Sequence, residues 1–90
     1  MVIKARKKPV EVECVKYDGN NHQELYDWSK GIAHLTYEST DTYSFVVNTL
    51  EGVMSVSLGD YIVKGVNGEF YPVKPDVFNK TYEVLKNGKG

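Results

Sequence analysis

The sequence predicts an α+β domain built on one curled, mainly antiparallel sheet of about six or seven short strands, partial-barrel-like in its closure. A short helix near residues 22–30 and a helical turn near 75–80 complete the prediction. Three observations carry it. Apolar residues alternate with polar ones in short runs from Val10 onward, turn-forming residues recur about every ten positions, and residues 21–31 alone carry a full set of helix start and stop signals.

The first strand is read from Val10, Val12 and Cys14, which alternate with Glu11 and Glu13 and so place Cys14 on the buried face. Val15 and Tyr17 continue on the opposite parity, which predicts a bulge near Cys14 or a strand end covered on both faces. Asp18, Gly19, Asn20 and Asn21 form a turn, and Asn21 with Glu24 three residues on has the form of a capping box. In the helix that follows, Leu25 and Trp28 share one face, Lys30 suits the C-terminal end of the dipole, and Gly31 suits a left-handed terminus. A helix this short is marginal alone, so Leu25 and Trp28 must bury against the sheet.

From Ile32 the pattern is that of a meander. Residues 32–37 read as a strand, 38–41 as a turn, and Tyr43, Phe45 and Val47 as the inward row of a half-buried strand. Leu50, Glu51 and Gly52 reverse the chain, Met54, Val56 and Leu58 form the next inward row, and Gly59 with Asp60 ends it. Residues 61–66 are apolar enough to be covered on both faces. Asn67 and Gly68 predict a type I′ turn closing a hairpin onto residues 69–73. Pro72 and Pro75 should end strand pairing, Pro75 opening a helical turn over Asp76, Val77 and Phe78. Tyr82, Val84 and Leu85 read as a closing strand, so a single domain spans residues 1–86 and residues 87–90 form a loose tail.

Composition narrows the function classes. Ninety residues make one domain, and 41% hydrophobic with 26% charged residues is too apolar for intrinsic disorder and too interrupted for a membrane span. Eleven basic against twelve acidic residues leave a net charge of -1, which argues against a protein that works by bulk attraction to nucleic acid. Cys14, the single cysteine, permits neither an internal disulfide nor a Cys-rich zinc site, and the opening residues lack the apolar run of a signal peptide. A reducing cytoplasm is the expected compartment, without membrane association.

No ordered catalytic set stands out. His22 and His34 lack a second histidine at metal-pair spacing; His22 reads as a solvent-facing first-turn residue and His34 as a sheet residue. Cys14 lies on a strand face rather than at a helix start, where a thiolate would be stabilised, and so reads as core. Neither a P-loop nor a dinucleotide-type glycine motif is present, since Gly65 and Gly68 flank a hairpin. Asn79, Lys80 and Thr81 match a glycosylation sequon that has no meaning in the cytoplasm. Asp60 and Glu69 read as a turn aspartate accepting backbone N–H groups and a cross-strand partner of Lys64, rather than as paired catalytic acids. The expectation is a non-enzyme with no metal and no cofactor.

Two features remain after this exclusion. Lys4, Arg6, Lys7 and Lys8 concentrate positive charge at the start of the chain, as edge-protecting lysines or as a basic contact surface. Seven tyrosines, three phenylalanines and one tryptophan are dense for 90 residues and suit sheet faces, protein interfaces and base stacking alike.

Two stretches, KKPVEVE at residues 7–13 and GDYIVKGVNGEFYPVKPDVF at residues 59–78, followed by TYE at 81–83, resemble a widespread family of small phage and prophage proteins. Residues 18–45 take no part in the likeness, and Leu58 stands where many relatives have proline. The resemblance implies a phage or prophage accessory protein acting in the cytoplasm of a bacterial host, and it brings no catalytic residue. Turn geometry accounts for Gly59, Asp60 and Gly68, and strand termination for Pro72 and Pro75. Tyr61, Lys64, Glu69, Tyr71 and Lys74 are left as the candidate binding residues. The leading expectation is an interaction protein that binds a host or phage protein, inhibiting a host process. The alternative is a binder of a nucleotide or nucleic acid, with tyrosines stacking on bases and Lys64, Lys74 and the Lys4 to Lys8 cluster meeting phosphate. Homodimerisation through an exposed strand edge is compatible with either.

Overall fold

The computed structural model describes residues 1–6, 8–37, 39 and 41–85. The predicted turn at 38–41 and tail at 87–90 therefore lie partly or wholly outside the described residues, as do Lys7 and Lys86. The element order is β1 (Glu13–Lys16), α1 (His22–Ser29), β2 (Ala33–Tyr37), β3 (Tyr43–Thr49), β4 (Gly52–Ser55), β5 (Tyr61–Lys64), β6 (Phe70–Val73) and α2 (Pro75–Thr81). The class is α+β and every strand pairing is antiparallel.

The strands form two sheets of three, ordered β1-β5-β6 and β2-β3-β4, rather than one curled sheet, and they do not close into a barrel. The break falls between β4 and β5. Val56 still donates to the Phe45 carbonyl at 2.9 Å, but Ser57 and Asp60 then fold into a turn that carries the chain to the other sheet. Alternation past β4 is lost with it: Val56 is buried, while Met54 and Leu58 of the predicted inward row are exposed.

The main core joins Val15, Ile62 and Phe70 of the first sheet to Ala33, Phe45 and Val47 of the second, with Leu25 from α1 and Tyr17 closing one end. Trp28 stands edge-on to Phe70 at 5.1 Å and donates its indole N–H to Glu13 at 3.0 Å. The opposite face of the first sheet is covered by α2. As expected from its apolar run, β5 is thus buried on both sides, with Ile62 and Val63 both at 0% exposure. Each contributes roughly 1.5–3 kcal/mol of transfer free energy, which makes β5 the backbone of the domain.

Local departures from the sequence pattern have physical reasons. β1 begins only at Glu13, because its partner β5 ends at Lys64 and the chain turns away at Gly65, leaving residues 8–12 without a strand to pair with. Val15 rather than Cys14 faces the main core; Cys14 is half-buried on the α2 side, and burial pushes its thiol pKa up. Asn21 precedes α1 but does not cap it. Its side chain instead accepts the Asp18 N–H at 3.0 Å and donates to the Lys16 carbonyl at 2.8 Å, bracing the loop. Lys30 takes the left-handed position at φ 57°, with Gly31 following at φ 87°, and their N–H groups reach the carbonyls of Asp27 and Tyr26.

The β5–β6 hairpin is likewise of a different type. Gly68 has φ 81° but Asn67 does not enter the positive range, and Gly68 donates to the Gly65 carbonyl at 3.0 Å, so the loop spans Val66, Asn67 and Gly68 as a turn followed by a left-handed glycine. Pro72 lies within β6, opposite Ile62, instead of ending it. The Gly65 N–H to Glu69 carbonyl bond sets the ladder's parity, and that parity turns the Pro72 nitrogen away from β5, where no donor is missed. Pro75 does open a helix, longer than the expected turn. The closing strand does not form: Tyr82 ends α2 and stacks on Phe78, while Val84 and Leu85 are exposed.

Candidate functional site

An open groove of about 530 Å³ lies at the end of α2. One wall is the chain leading into β1, with Lys8, Pro9, Val10 and Val12; the other is the β5–β6 hairpin, with Gly65, Val66 and Glu69. Tyr71 forms its floor together with Thr81 and Tyr82 from the end of α2. All these residues come from three separate stretches, 7–13, 59–78 and 81–83, which the fold brings to one place.

The geometry of the groove follows from local structure. β6 turns Tyr71 toward α2, where its hydroxyl lies 3.0 Å from that of Tyr82. Burial, foremost, pushes the Tyr71 phenol up to about 12, helped by the hydrogen bond and proximity to Tyr82 and by the Glu69 charge. The Tyr71 phenol is therefore a neutral donor and acceptor at ordinary pH. Glu69 folds back over its own turn, where its Oε1 accepts the Asn67 N–H at 3.0 Å. Gly65 makes this possible, because a Cβ there would run into the Glu69 carboxylate. The outcome is an apolar trough of Val10, Val12 and Val66 with phenol, carboxylate and one lysine along it.

The five residues singled out from the sequence do not form one cluster. Glu69 and Tyr71 meet at the groove. Tyr61 packs away from it, its ring stacked on Phe78 at 3.8 Å and 7°, with Lys16 Nζ 6.0 Å from the ring. Lys64 sits on the opposite face of the sheet, over the Phe70 ring at 6.0 Å, and is not the partner of Glu69. Lys74 is an anchor. Its Nζ lies 3.1 Å from Asp60 Oδ2, and Asp60, only 2% exposed, also accepts the Ser57 N–H at 2.9 Å. The turn reading of Asp60 holds, with a cation added. Of the basic cluster, Lys4, Arg6 and Lys8 are exposed and Lys8 alone reaches the groove; Lys7 lies outside the described residues.

Sequence reasoning missed Val10, Val12, Val66, Thr81 and Tyr82 as groove residues. Their signal was their place in the three stretches, which was read as strand rather than as a surface. His34 lies in β2 as expected, but His22 is placed differently. His22 is half-buried instead of solvent-facing, its Nε2 hydrogen-bonded to the Tyr17 hydroxyl at 2.8 Å and its ring edge-on to Phe45 at 5.2 Å. His34 shares with it a shallow depression of about 240 Å³. Among the described residues no three His, Cys, Asp or Glu side chains are grouped to hold a metal ion.

No protein-family model matches the chain, and no curated protein or solved structure matches it either. Among the described residues no helix is long and apolar enough to cross a membrane.

Proposed function

We propose that this chain is a non-enzymatic accessory protein of phage or prophage origin that binds a host or phage protein in the bacterial cytoplasm and thereby inhibits a host process. The reading is supported above all by the meeting of residues from three stretches, 8–12, 65–71 and 81–82, at one apolar groove. A trough with exposed valines and a few fixed polar groups suits a segment of another protein, whose apolar side chains gain from burial while the phenols and Glu69 set orientation. Catalysis has less support. Glu69 is engaged by its own turn and Tyr71 by Tyr82, so neither stands as a base beside a nucleophile.

The groove favours a protein over a nucleobase. One face of Tyr61 is already occupied by Phe78, and Lys64 lies across the sheet from Tyr61 and Tyr71, so rings and cations are not arrayed along one strand-binding track. The test is native mass spectrometry of the tagged protein recovered from uninfected and phage-infected bacteria, beside Val66→Glu, which puts a charge in the trough at an exposed position. A stoichiometric protein adduct that Val66→Glu removes is the expected result. A nucleotide-sized mass, salt-sensitive nucleic acid, or bare protein from both sources overturns the reading.

A further inference from the structure

We propose that Asn67 is a site of spontaneous deamidation whose rate is set by the hairpin turn around it, with Glu69 as the latch of that turn. The chemistry belongs to the turn itself and holds whatever the groove binds.

Asn67 precedes Gly68 at the tip of the β5–β6 hairpin, and a glycine, having no side chain, leaves its own amide nitrogen open to the asparagine side chain before it. Space for the reaction is present. Asn67 is exposed, its side-chain amide has no hydrogen-bond partner among the described residues, and a Cβ at Gly68 would meet nothing within 4 Å beyond its chain neighbours. In the reaction the Gly68 nitrogen attacks Asn67 Cγ. The bond from that nitrogen to Cγ forms, the Cγ–Nδ2 bond breaks, and Nδ2 leaves as ammonia with the proton that Gly68 gives up. Water then opens the cyclic imide at one carbonyl or the other, leaving aspartate or isoaspartate, so that one water is consumed for each ammonia released. Asp18 before Gly19 is the comparable pair, but a carboxylate is a poorer electrophile than an amide, and Asp18 Oδ1 is already held by the Asn20 N–H at 2.8 Å.

Two hydrogen bonds hold the reaction back. The attacking nitrogen keeps its proton in a bond to the Gly65 carbonyl at 3.0 Å, and the Asn67 N–H is held by Glu69 Oε1, also at 3.0 Å. The first must break before that nitrogen can attack, and the second keeps the turn closed, so the folded chain reacts through local opening of the hairpin tip. Glu69 is therefore a positioning residue. The products alter the lip of the groove, to which Val66 and Glu69 both belong. Aspartate sets a second carboxylate beside that of Glu69. Isoaspartate carries the main chain through the former side chain, which lengthens the turn that the Gly68 N–H closes and moves the N–H that Glu69 holds.

Peptide mapping by mass spectrometry, with electron-transfer fragmentation to tell aspartate from isoaspartate, follows residue 67 in the full chain kept in mildly alkaline buffer, either folded or in guanidinium chloride. Both products should form in the folded chain, about tenfold or more slowly than in denaturant. Glu69→Ala should speed the folded reaction several-fold and leave the denatured rate nearly unchanged. Gly65→Ala, which displaces the same carboxylate, should do likewise, whereas Glu69→Gln, which keeps an acceptor oxygen, should stay close to wild type. Circular dichroism reports that each variant is folded. An Asn67 that stays unmodified in the folded chain overturns the site. Equal rates in the folded and denatured chains, or a folded rate indifferent to Glu69→Ala, overturn the latch.

Discussion

Residues 59–82 and residues 1–12 are both rich in the side chains that mark binding surfaces, yet the fold uses them in opposite ways. In the first region almost every conspicuous side chain has a partner within the chain: Asp60 with Ser57 and Lys74, Tyr61 with Phe78, Tyr71 with Tyr82, Glu69 with its own turn. In the second, the described residues are exposed or half-buried and make no backbone hydrogen bond. A dense motif is therefore weak evidence of a site by itself. The groove lies where the saturated region and the unsaturated one face each other.

The contrast breaks most severely at Phe78, the largest fully buried side chain. It is stacked between Tyr61 and Tyr82, so Phe78→Ala removes the middle of an aromatic column. A loss of about 3–5 kcal/mol is expected in urea unfolding, with α2 and the groove floor lost together. Asp60→Ala comes next. It leaves the Ser57 N–H and Lys74 without their acceptor, for about 2–3 kcal/mol, whereas Lys74→Ala should cost about 1 kcal/mol or less because the Lys74 side chain is 59% exposed. Equal losses for the two would mean that the ion pair, not the buried turn, holds this corner.

How far the sequence revealed these two regions depends on whether the controlling contact is local. The double burial of β5, the helix carrying Leu25 and the Pro75 helix start were legible, because each follows from a run of apolar residues or from one residue's backbone constraint. The start of β1 was not, since it is set by where β5 ends, some fifty positions away. The same holds for the division into two sheets, and for Tyr82, whose apolar neighbours suggested a strand although its ring caps a stack. In the candidate site, Glu69 and Tyr71 were found, but Tyr61 and Lys74 carry the same chemical signature while serving the fold. Alternation cannot distinguish a buried anchor from a ligand contact, because both demand a polar tip on a strand.

Gly65→Ala probes the junction more gently. Its φ lies outside the left-handed region, so the only obstacle is the Glu69 carboxylate, which can swing aside at the loss of its bond to the Asn67 N–H. The expected cost is about 1 kcal/mol, and Glu69→Ala in the same chain should remove most of it, the coupling of two residues in contact. Tyr71 gives a titration. Its folded pKa of about 12 is above the ordinary phenol value, so the unfolded chain ionises first and stability falls as pH rises from about 10 through 12. Tyr82→Phe should lower the Tyr71 transition in an ultraviolet titration and make that fall smaller, ending at a lower pH.

The smallest effect on stability is expected from deleting residues 1–8. Lys4, Arg6 and Lys8 make no hydrogen bond or ion pair among the described residues, and Val2 and Ile3 lie in solvent, so the unfolding free energy should stay within about 0.5 kcal/mol of the full chain. A truncated chain that melts as wild type would separate the two regions cleanly: one that makes the fold and one that the fold leaves exposed. A large loss of stability would instead show that residues 1–8 belong to the core region after all, and the contrast would have to be redrawn at Gly65.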